Sequence, residues 1–306
     1  MNKFEKFSII LNSSSCIYNA GEKITGSVIL VLKKSIKLRG ISVKLIGKGE
    51  VNWEEDGPGI GYNPTYYSSH ETYIDSTIIL YGKASHTSEQ IELLEGEHKF
   101  PFKFHLPLHS PSSFEHKYGH INYFVKAVID KPWTLDRKCK IPIQVKSVID
   151  LKTQAEVKLP IQKKVFTKFG FISCSSGMLS ATIHLKQTGF VPGEKICINA
   201  EINNESNKTV AYSQATLKME IKFRTSSKNK TKKMSLVSIR GGSIKPGSTG
   251  TWNGKVLEVP PLATPQMLYC SIIDIDYTLK FSVCSTWCTL LDIPIKIIIG
   301  TVPLRK

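Results

Sequence analysis

The feature that most constrains this chain is that it repeats. Sliding the two halves past one another places Ile121-Asn-Tyr-Phe-Val-Lys-Ala-Val-Ile129 on Ile275-Asp-Tyr-Thr-Leu-Lys-Phe-Ser-Val283 at an offset of 154, with Trp133 on Trp287 at the same offset. Ile141-Pro-Ile143 answers Ile293-Pro-Ile295 at 152, and Gly21-Glu-Lys23 answers Gly193-Glu-Lys195, each ahead of an apolar alternating stretch. Self-similarity of this kind means one module used twice. The 306 residues suit two domains of about 150 residues each.

The module reads as strand. From Ile273 to Val283 the odd positions carry Ile, Ile, Tyr, Leu, Phe and Val, and the even ones Asp, Asp, Thr, Lys and Ser. That is the period of a strand with one buried and one wet face. Burying each such side chain is worth about 1.5 to 3 kcal/mol, which sets the strand's register. The same pattern predicts strands at Phe4 to Leu11, Ile24 to Leu32, Ile36 to Lys48, Thr72 to Tyr81, His98 to Leu106, Leu179 to Lys186, Ile196 to Ile202, Ala215 to Phe223 and Lys255 to Val259. Apolar parity switches from even to odd across Arg39-Gly40, which predicts a bulge there. No segment of ten or more residues carries a capped 3.6-residue period, so helix is minor. The expected fold is all-β, two tandem antiparallel β-sandwiches of immunoglobulin-like build. They span residues 1–148 and 173–306. The join, 149–172, is where Asp150, Pro160 and the cations Lys163, Lys164 and Lys168 interrupt the strand rhythm.

Composition narrows the class further. With 41% hydrophobic and 22% charged residues the chain can bury a core and is not disordered. No apolar run reaches the roughly 18 to 20 residues of a membrane span, the best one being broken by Asp292, Pro294 and Lys296. The N-terminus has no secretory-signal pattern. Seven cysteines, at 16, 139, 174, 197, 270, 284 and 288, show no framework spacing and read as reduced thiols of a cytoplasmic protein. On that reading the Asn-x-Ser/Thr matches at Asn12, Asn204, Asn207 and Asn229 are chance.

Catalytic chemistry finds no footing. There is no Gly-x-Ser-x-Gly elbow, no phosphate-cradling Gly-x4-Gly-Lys-Ser/Thr and no dinucleotide fingerprint. The Gly57-Pro-Gly-Ile-Gly61 run precedes no helix and reads as a turn. His105, His109, His116 and His120 have metal-like spacing only on a helix, which Pro107, Pro111 and Gly119 forbid. Cys284 and Cys288, about 13 Å apart if extended, read as packing thiols. The expectation is no enzyme, no cofactor and no metal.

Charge is the more informative property. The net +16 is uneven: residues 1–148 hold 19 basic and 15 acidic side chains, or +4, and residues 149–306 hold 22 and 10, or +12. Two basic clusters are candidate contacts for phosphate, another anion or acidic lipid: Lys33, Lys34, Lys37 and Arg39 at a strand start, and Lys228, Lys230, Lys232 and Lys233 in a loop between strands. The alternative is ordinary solvated charge. Nucleic acid is not expected, because no recognition motif accompanies the charge and aromatics are not interleaved with it. A long loop, Val51 to His70, carries Trp53, Tyr62, Tyr66 and Tyr67, a candidate partner loop or simply a packed one.

At this point the chain resembles the arrestin domain-containing proteins, the α-arrestins. The resemblance runs through Tyr18-x2-Gly21-Glu22, Leu38-Arg39-Gly40-Ile41, Glu71-Thr72, Gly96-Glu-His-Lys-Phe-Pro-Phe102, Pro111-Ser-Ser-Phe-Glu115, Lys117-Tyr118-Gly119 and Tyr123-x-Val125-Lys126-Ala127. It continues through Gly189-Phe190-x-Pro192-Gly193-Glu194, Trp252-Asn-Gly-Lys255, Val259-Pro-Pro261, Cys270-Ser-Ile-Ile273 and Ile299-Gly-Thr-Val-Pro-Leu304. It implies two curved sandwiches without enzyme activity. It also implies an adaptor that selects membrane-protein cargo, through cytoplasmic tails, for ubiquitination, endocytosis or sorting, with peripheral association at plasma membrane or endosomes. Anionic membrane surface and WW-domain ubiquitin ligases are the further partners implied.

Two departures qualify this. Family tails carry Pro-Pro-x-Tyr for those ligases, whereas the single Pro-Pro pair here, Pro260-Pro261, is followed by Leu-Ala, and the chain stops at Lys306. The thioredoxin-interacting branch has a cysteine three residues before the tryptophan, where this chain has Thr249 before Trp252. The interdomain charge network of receptor-type arrestins points to Asp274 and Asp276 as candidates, the alternative being a solvated face.

Overall fold

The structure, a computed structural model, describes residues 3–57, 63–83, 90–132, 135–168, 177–261 and 264–304. Strands dominate, and two short 3-10 turns, Leu151–Thr153 and Ala155–Lys158, are the helical elements among the described residues. The first half contributes β1 (Phe4–Leu11), β2 (Ile17–Asn19), β3 (Lys23–Leu32), β4 (Ile36–Leu38), β5 (Gly40–Glu55), β6 (Thr65–Gly82), β7 (Ile91–Leu93), β8 (Gly96–His105), β9 (Phe114–His116), β10 (Gly119–Asp130) and β11 (Arg137–Lys146). The second contributes β12 (Ile161–Lys168), β13 (Met178–Leu185), β14 (Gly189–Phe190), β15 (Lys195–Asn204), β16 (Tyr212–Arg224), β17 (Asn229–Arg240), β18 (Ser248–Glu258), β19 (Ile273–Cys284) and β20 (Thr289–Ile299).

The sheets carry the duplication in their strand order. In the first half β1-β3-β8 forms one sheet and β2-β11-β10-β5-β6 the other, with β9 on β10. In the second half β13-β15-β18 and β14-β20-β19-β16-β17 repeat both orders. Even the exceptional parallel pairings correspond, β2 on β11 and β14 on β20. The additions are β12, which extends the smaller sheet of the second half beyond β13, and the β4–β7 ladder in the first.

The repeated motifs do the same local work twice. Gly21 has φ +86° and Gly193 φ +85°. Each follows a chain reversal in which the next residue bonds back, Glu22 N–H to Asn19 O and Glu194 N–H to Val191 O, both at 3.0 Å. A positive φ at the third turn position is the type II geometry that selects glycine. The glutamate then closes the turn: Glu22 accepts from Asn19 N–H at 2.8 Å and Glu194 from Val191 N–H at 2.9 Å. The paired tyrosines also act alike, Tyr123 OH donating to Pro111 O at 2.8 Å and Tyr277 OH to Thr264 O at 2.5 Å. Burial pushes both phenols well above their ordinary range.

The chain gathers into two compact units. The first is Met1–Ser147 with Phe223–Asn229 and Met267–Ile273; the second is Val148–Lys222, Lys230–Gln266 and Asp274–Lys306. In the first, Leu30, Leu32, Ile36, Leu38, Ile41, Leu93 and Ile129 form a buried cluster against which Phe4 and Phe7 pack. Phe223 is fully buried there, its ring 4.9 Å from His116 and 5.9 Å from Tyr118.

Several expectations need correction. The predicted bulge is displaced: the chain leaves one ladder at Arg39, between β4 and β5, and the register shift falls at Ile41/Ser42. Gly40 is there for close approach, since a Cβ would lie 2.4 Å from Lys83 O. Within the supposed join, Ile161–Lys168 is a strand paired along its length with β13. The long loop at Val51 to His70 is mostly hairpin, with β5 running to Glu55 and β6 starting at Thr65. Lys230, Lys232 and Lys233 are on β17, an edge strand, and not in a loop. Cys284 and Cys288 are not an extended pair: Ser285 N–H donates to Cys288 O at 2.9 Å, closing a turn that leaves Trp287 93% exposed. Its partner in the repeat, Trp133, lies outside the described residues.

Candidate functional site

In the first unit β1 pairs with β3 on one side and, among the described residues, with no strand on the other. Such an edge presents a row of backbone donors and acceptors to an incoming chain. A register shift between Phe4 and Lys6 corrects the parity, so that both Phe4 and Phe7 pack on the core while Lys6 stays exposed. Ile10, further along, is 50% exposed. Beside this edge, β11 supplies Arg137 and Lys138, and a cavity of about 260 Å3 lies among Phe4, Glu5, Lys6, Phe7, Arg137 and Lys138. The Arg137 guanidinium sits 4.3 Å from the Phe4 ring centre and Lys131 Nζ 5.5 Å from it, so the aromatic ring holds the cations in place.

The positive charge continues across the larger sheet. Lys126 of β10 stands directly opposite Lys140 of β11 on one side and Lys44 of β5 on the other. Like charges directly opposite on adjacent strands destabilise a sheet. No carboxylate ion-pairs with any of the three among the described residues, and the one close partner is the Phe124 ring, 3.7 Å from Lys140 Nζ. The second unit shows the compensated version of this face. There Lys280, at the place of Lys126, faces Pro294 and pairs at 2.5 Å with Asp292, which stands at the place of Lys138. Lys222 bridges Asp276 at 3.1 Å and Glu220 at 3.3 Å. The first unit therefore has three lysines in a row across three strands, where the second unit sets carboxylates beside Lys280 and Lys222. Cys139, between Lys138 and Lys140, is half-buried, and burial pushes its thiol up to about 11, which disfavours the thiolate.

Of the residues singled out in the sequence, some reach this surface and others are committed elsewhere. Lys33 and Lys34 are exposed at the start of β1, where Lys33 N–H donates to Lys3 O at 2.9 Å. Lys37 lies opposite Glu92 on the β4–β7 ladder. Arg39 is taken by Asp130, with Nε and Nη2 donating at 2.8 and 2.6 Å. Lys228 is paired with Glu55 and lies 5.4 Å from the Tyr67 ring, and Lys233 pairs with Glu220 at 3.1 Å. Trp53 is only 5% exposed and stacks on Tyr67 at 5.5 Å, so it is a core side chain; Tyr66 is 73% exposed, and Tyr62 lies outside the described residues. Asp276 is held by Lys222 inside the second unit, and Asp274, half-buried on the same strand, also has an interaction partner.

Other polar clusters serve the fold. Glu71 accepts from Ser271 N–H at 3.1 Å, from Ser271 Oγ, and from Tyr73 OH at 2.9 Å, and Cys270 Sγ lies 3.1 Å from that hydroxyl. Burial raises the Glu71 carboxyl, but these donors outweigh it and hold it below the ordinary carboxylate value. His109 packs on Tyr269 at 4.7 Å and His116 on Phe223. Among the described residues no group of His, Cys, Asp or Glu is placed to hold a metal.

Comparison with known proteins agrees with this architecture along the whole chain. The model of the arrestin (or S-antigen) N-terminal domain matches residues 7–152, and that of the arrestin (or S-antigen) C-terminal domain matches 175–304. Arrestin domain-containing protein 4 of Mus musculus is 33% identical over 299 residues, 95% of this chain and 70% of that protein. Arrestin domain-containing protein 17 of Caenorhabditis elegans is 28% identical over 318 residues, covering 99% and 72%. The thioredoxin-interacting protein of Homo sapiens is 26% identical over 300 residues, covering 96% and 74%.

Proposed function

The chain belongs to the arrestin family, as a member of its arrestin domain-containing type, and from that premise we propose a non-enzymatic adaptor. Its first unit captures an acidic or phosphorylated cytoplasmic tail of a membrane protein. The tail adds as a strand along the free edge of β1. Its anionic groups meet Lys6, Arg137, Lys138 and Lys140, where charge-assisted hydrogen bonds to phosphate are strong. The observation that carries this reading is the lysine row Lys44–Lys126–Lys140, with no carboxylate paired to it among the described residues, beside a strand edge that has no partner strand among them. Coupling of the cargo to endocytosis, ubiquitin-dependent trafficking or sorting completes the role, exercised in the cytoplasm at plasma membrane or endosomes. The lysines of β17 add attraction to anionic membrane, at about 1 kcal/mol per cation near the surface. Pro260-Pro261 is not followed by x-Tyr, so WW-domain ligases do not dock on this pair.

The test uses the full chain and a labelled 12-residue peptide of alternating valine and phosphoserine, with its serine twin as control. Tighter binding of the phosphorylated peptide is expected, weakened at least tenfold by Lys140→Asp. That substitution puts an aspartate directly opposite Lys126, so it should also raise stability, by about 0.2 to 1 kcal/mol. Equal binding of the two peptides, or undiminished binding by Lys140→Asp, would sink the proposal, and a mere folding defect cannot imitate a variant that is more stable yet binds worse.

A further inference from the structure

The repeated strand order gives β6 of the first unit and β17 of the second the same place, at the edge of the larger sheet. β17 carries Lys230, Lys232, Lys233 and Arg240. β6 is longer, at 18 residues, and contains no lysine, arginine or proline. Lysine and proline are among the residues with which natural edge strands avoid pairing with other chains. What β6 has instead are residues that favour pairing: four tyrosines, three isoleucines and three threonines. Among the described residues its backbone pairs with β5 alone, and no other backbone group bonds to its free side. Past Ile79, Tyr81 packs on Phe100 of β8 with ring centres 5.8 Å apart, which bounds the free stretch at that end.

The exposed side chains of β6 change parity halfway. They are Tyr66, Ser68, His70 and Thr72 ahead of Tyr73, and Asp75, Thr77 and Ile79 after it. Tyr73 is the extra residue of a bulge, since the register against β5 moves by one between Lys48↔Thr72 and Gly47↔Ile74. A second β6 laid antiparallel to the first must set exposed residues opposite exposed ones. Because of the bulge, that places an even residue of one copy opposite an odd residue of the other. One such register is centred between Thr72 and Tyr73. It sets His70 opposite Asp75, Ser68 opposite Thr77 and Tyr66 opposite Ile79, each pair occurring twice by symmetry. The first joins an imidazole N–H to a carboxylate. The last lets Tyr66 and Ile79, 73% and 46% exposed, cover one another, an aromatic against a β-branched side chain. Sliding one strand by two residues in either direction leaves Asp75 opposite Ser68 or Thr72 and parts Tyr66 from Ile79.

We propose that β6 joins two copies of this chain, edge to edge and antiparallel, into a two-fold dimer in the register that pairs His70 with Asp75. The occupant of the edge is a second copy because the strand complements itself in face, charge and apolar contact. A two-fold pairing uses the same edge on both copies, so it closes and leaves no β6 free for a third. The site lies in the first unit but on a different sheet from β1, so it does not depend on the tail-binding reading. A dimer built on it presents two β1 edges.

The experiment is sedimentation velocity of the full chain over a hundredfold range of concentration, which should show a monomer–dimer equilibrium. Asp75→Lys should weaken dimerisation at least tenfold, and His70→Lys should tighten it. Adding His70→Asp to Asp75→Lys exchanges the two charges and should recover most of the loss. Both positions are exposed, and a folding defect in Asp75→Lys would not be repaired by a second surface change, so recovery reads the register itself. Lys140→Asp should leave the dimer unchanged, which keeps this edge apart from the tail site. A chain that stays monomeric throughout, a dimer indifferent to Asp75→Lys, no recovery in the double variant, or open-ended assembly beyond the dimer would each overturn the proposal.

Discussion

Gly193 is a position where the absence of a side chain decides the backbone. Its φ of +85° lies in the left-handed region, and an added Cβ would meet nothing within 4 Å. The penalty of Gly193→Ala is therefore conformational alone, and a loss of about 1 to 2 kcal/mol is expected in urea denaturation. Gly21→Ala should lose more, because Leu108 Cδ1 lies 3.2 Å from the new carbon. Both turns were legible as paired Gly-Glu motifs. The lysine row was not, because Lys44, Lys126 and Lys140 are far apart in sequence and become neighbours only through the registers of β5, β10 and β11. Arg137 and Lys6 escaped notice for the same reason, each being unremarkable until the edge of β1 lies beside β11.

At the scale of the element, the β5–β6 hairpin shows where pattern reading fails. Trp53, Tyr66 and Tyr67 sit near Gly and Pro and look like a loop, yet Trp53↔Tyr67 and Glu54↔Tyr66 are ladder pairs. The reason is that the part of β6 ahead of the predicted Thr72 to Tyr81 stretch is half-buried or exposed on an edge strand, carries no apolar alternation, and is held by its partner's backbone. Alanine substitution separates the two aromatics. Trp53→Ala should lose about 3 to 5 kcal/mol, as a buried aromatic does. Tyr66→Ala should stay within about 0.5 kcal/mol. Denaturation followed by circular dichroism reads both, and a large loss at Tyr66 with none at Trp53 would contradict the burial pattern. The same weakness hid β17, whose lysines keep an edge strand from pairing with other chains and, in the sequence, imitate a loop.

At the scale of the molecule, the first unit is assembled from three stretches, and the last, Met267–Ile273, is fastened by Glu71. The Glu71 carboxyl titrates below its ordinary value, so its contribution is complete above the unfolded carboxylate range near 4.5 and is lost as pH falls through the depressed folded value. Amide exchange at 267–273 should accelerate more steeply than expected from intrinsic rates as pH drops from 7 to 3, and Glu71→Gln should flatten that profile while raising exchange at pH 7. An unchanged profile in Glu71→Gln would remove Glu71 as the fastening.

Local alternation, glycine turns and the repeat are properties of near neighbours in the chain. They were enough, from sequence alone, to determine an all-β fold built on a twice-used module and to mark its family. Only the tertiary structure decided which edges lack a partner, which lysines stand opposite one another, and that Phe223 belongs to the first unit's core. Those facts depend on contacts between residues tens to hundreds of positions apart, whose pairing follows from sheet register and packing and leaves no periodic trace in the sequence.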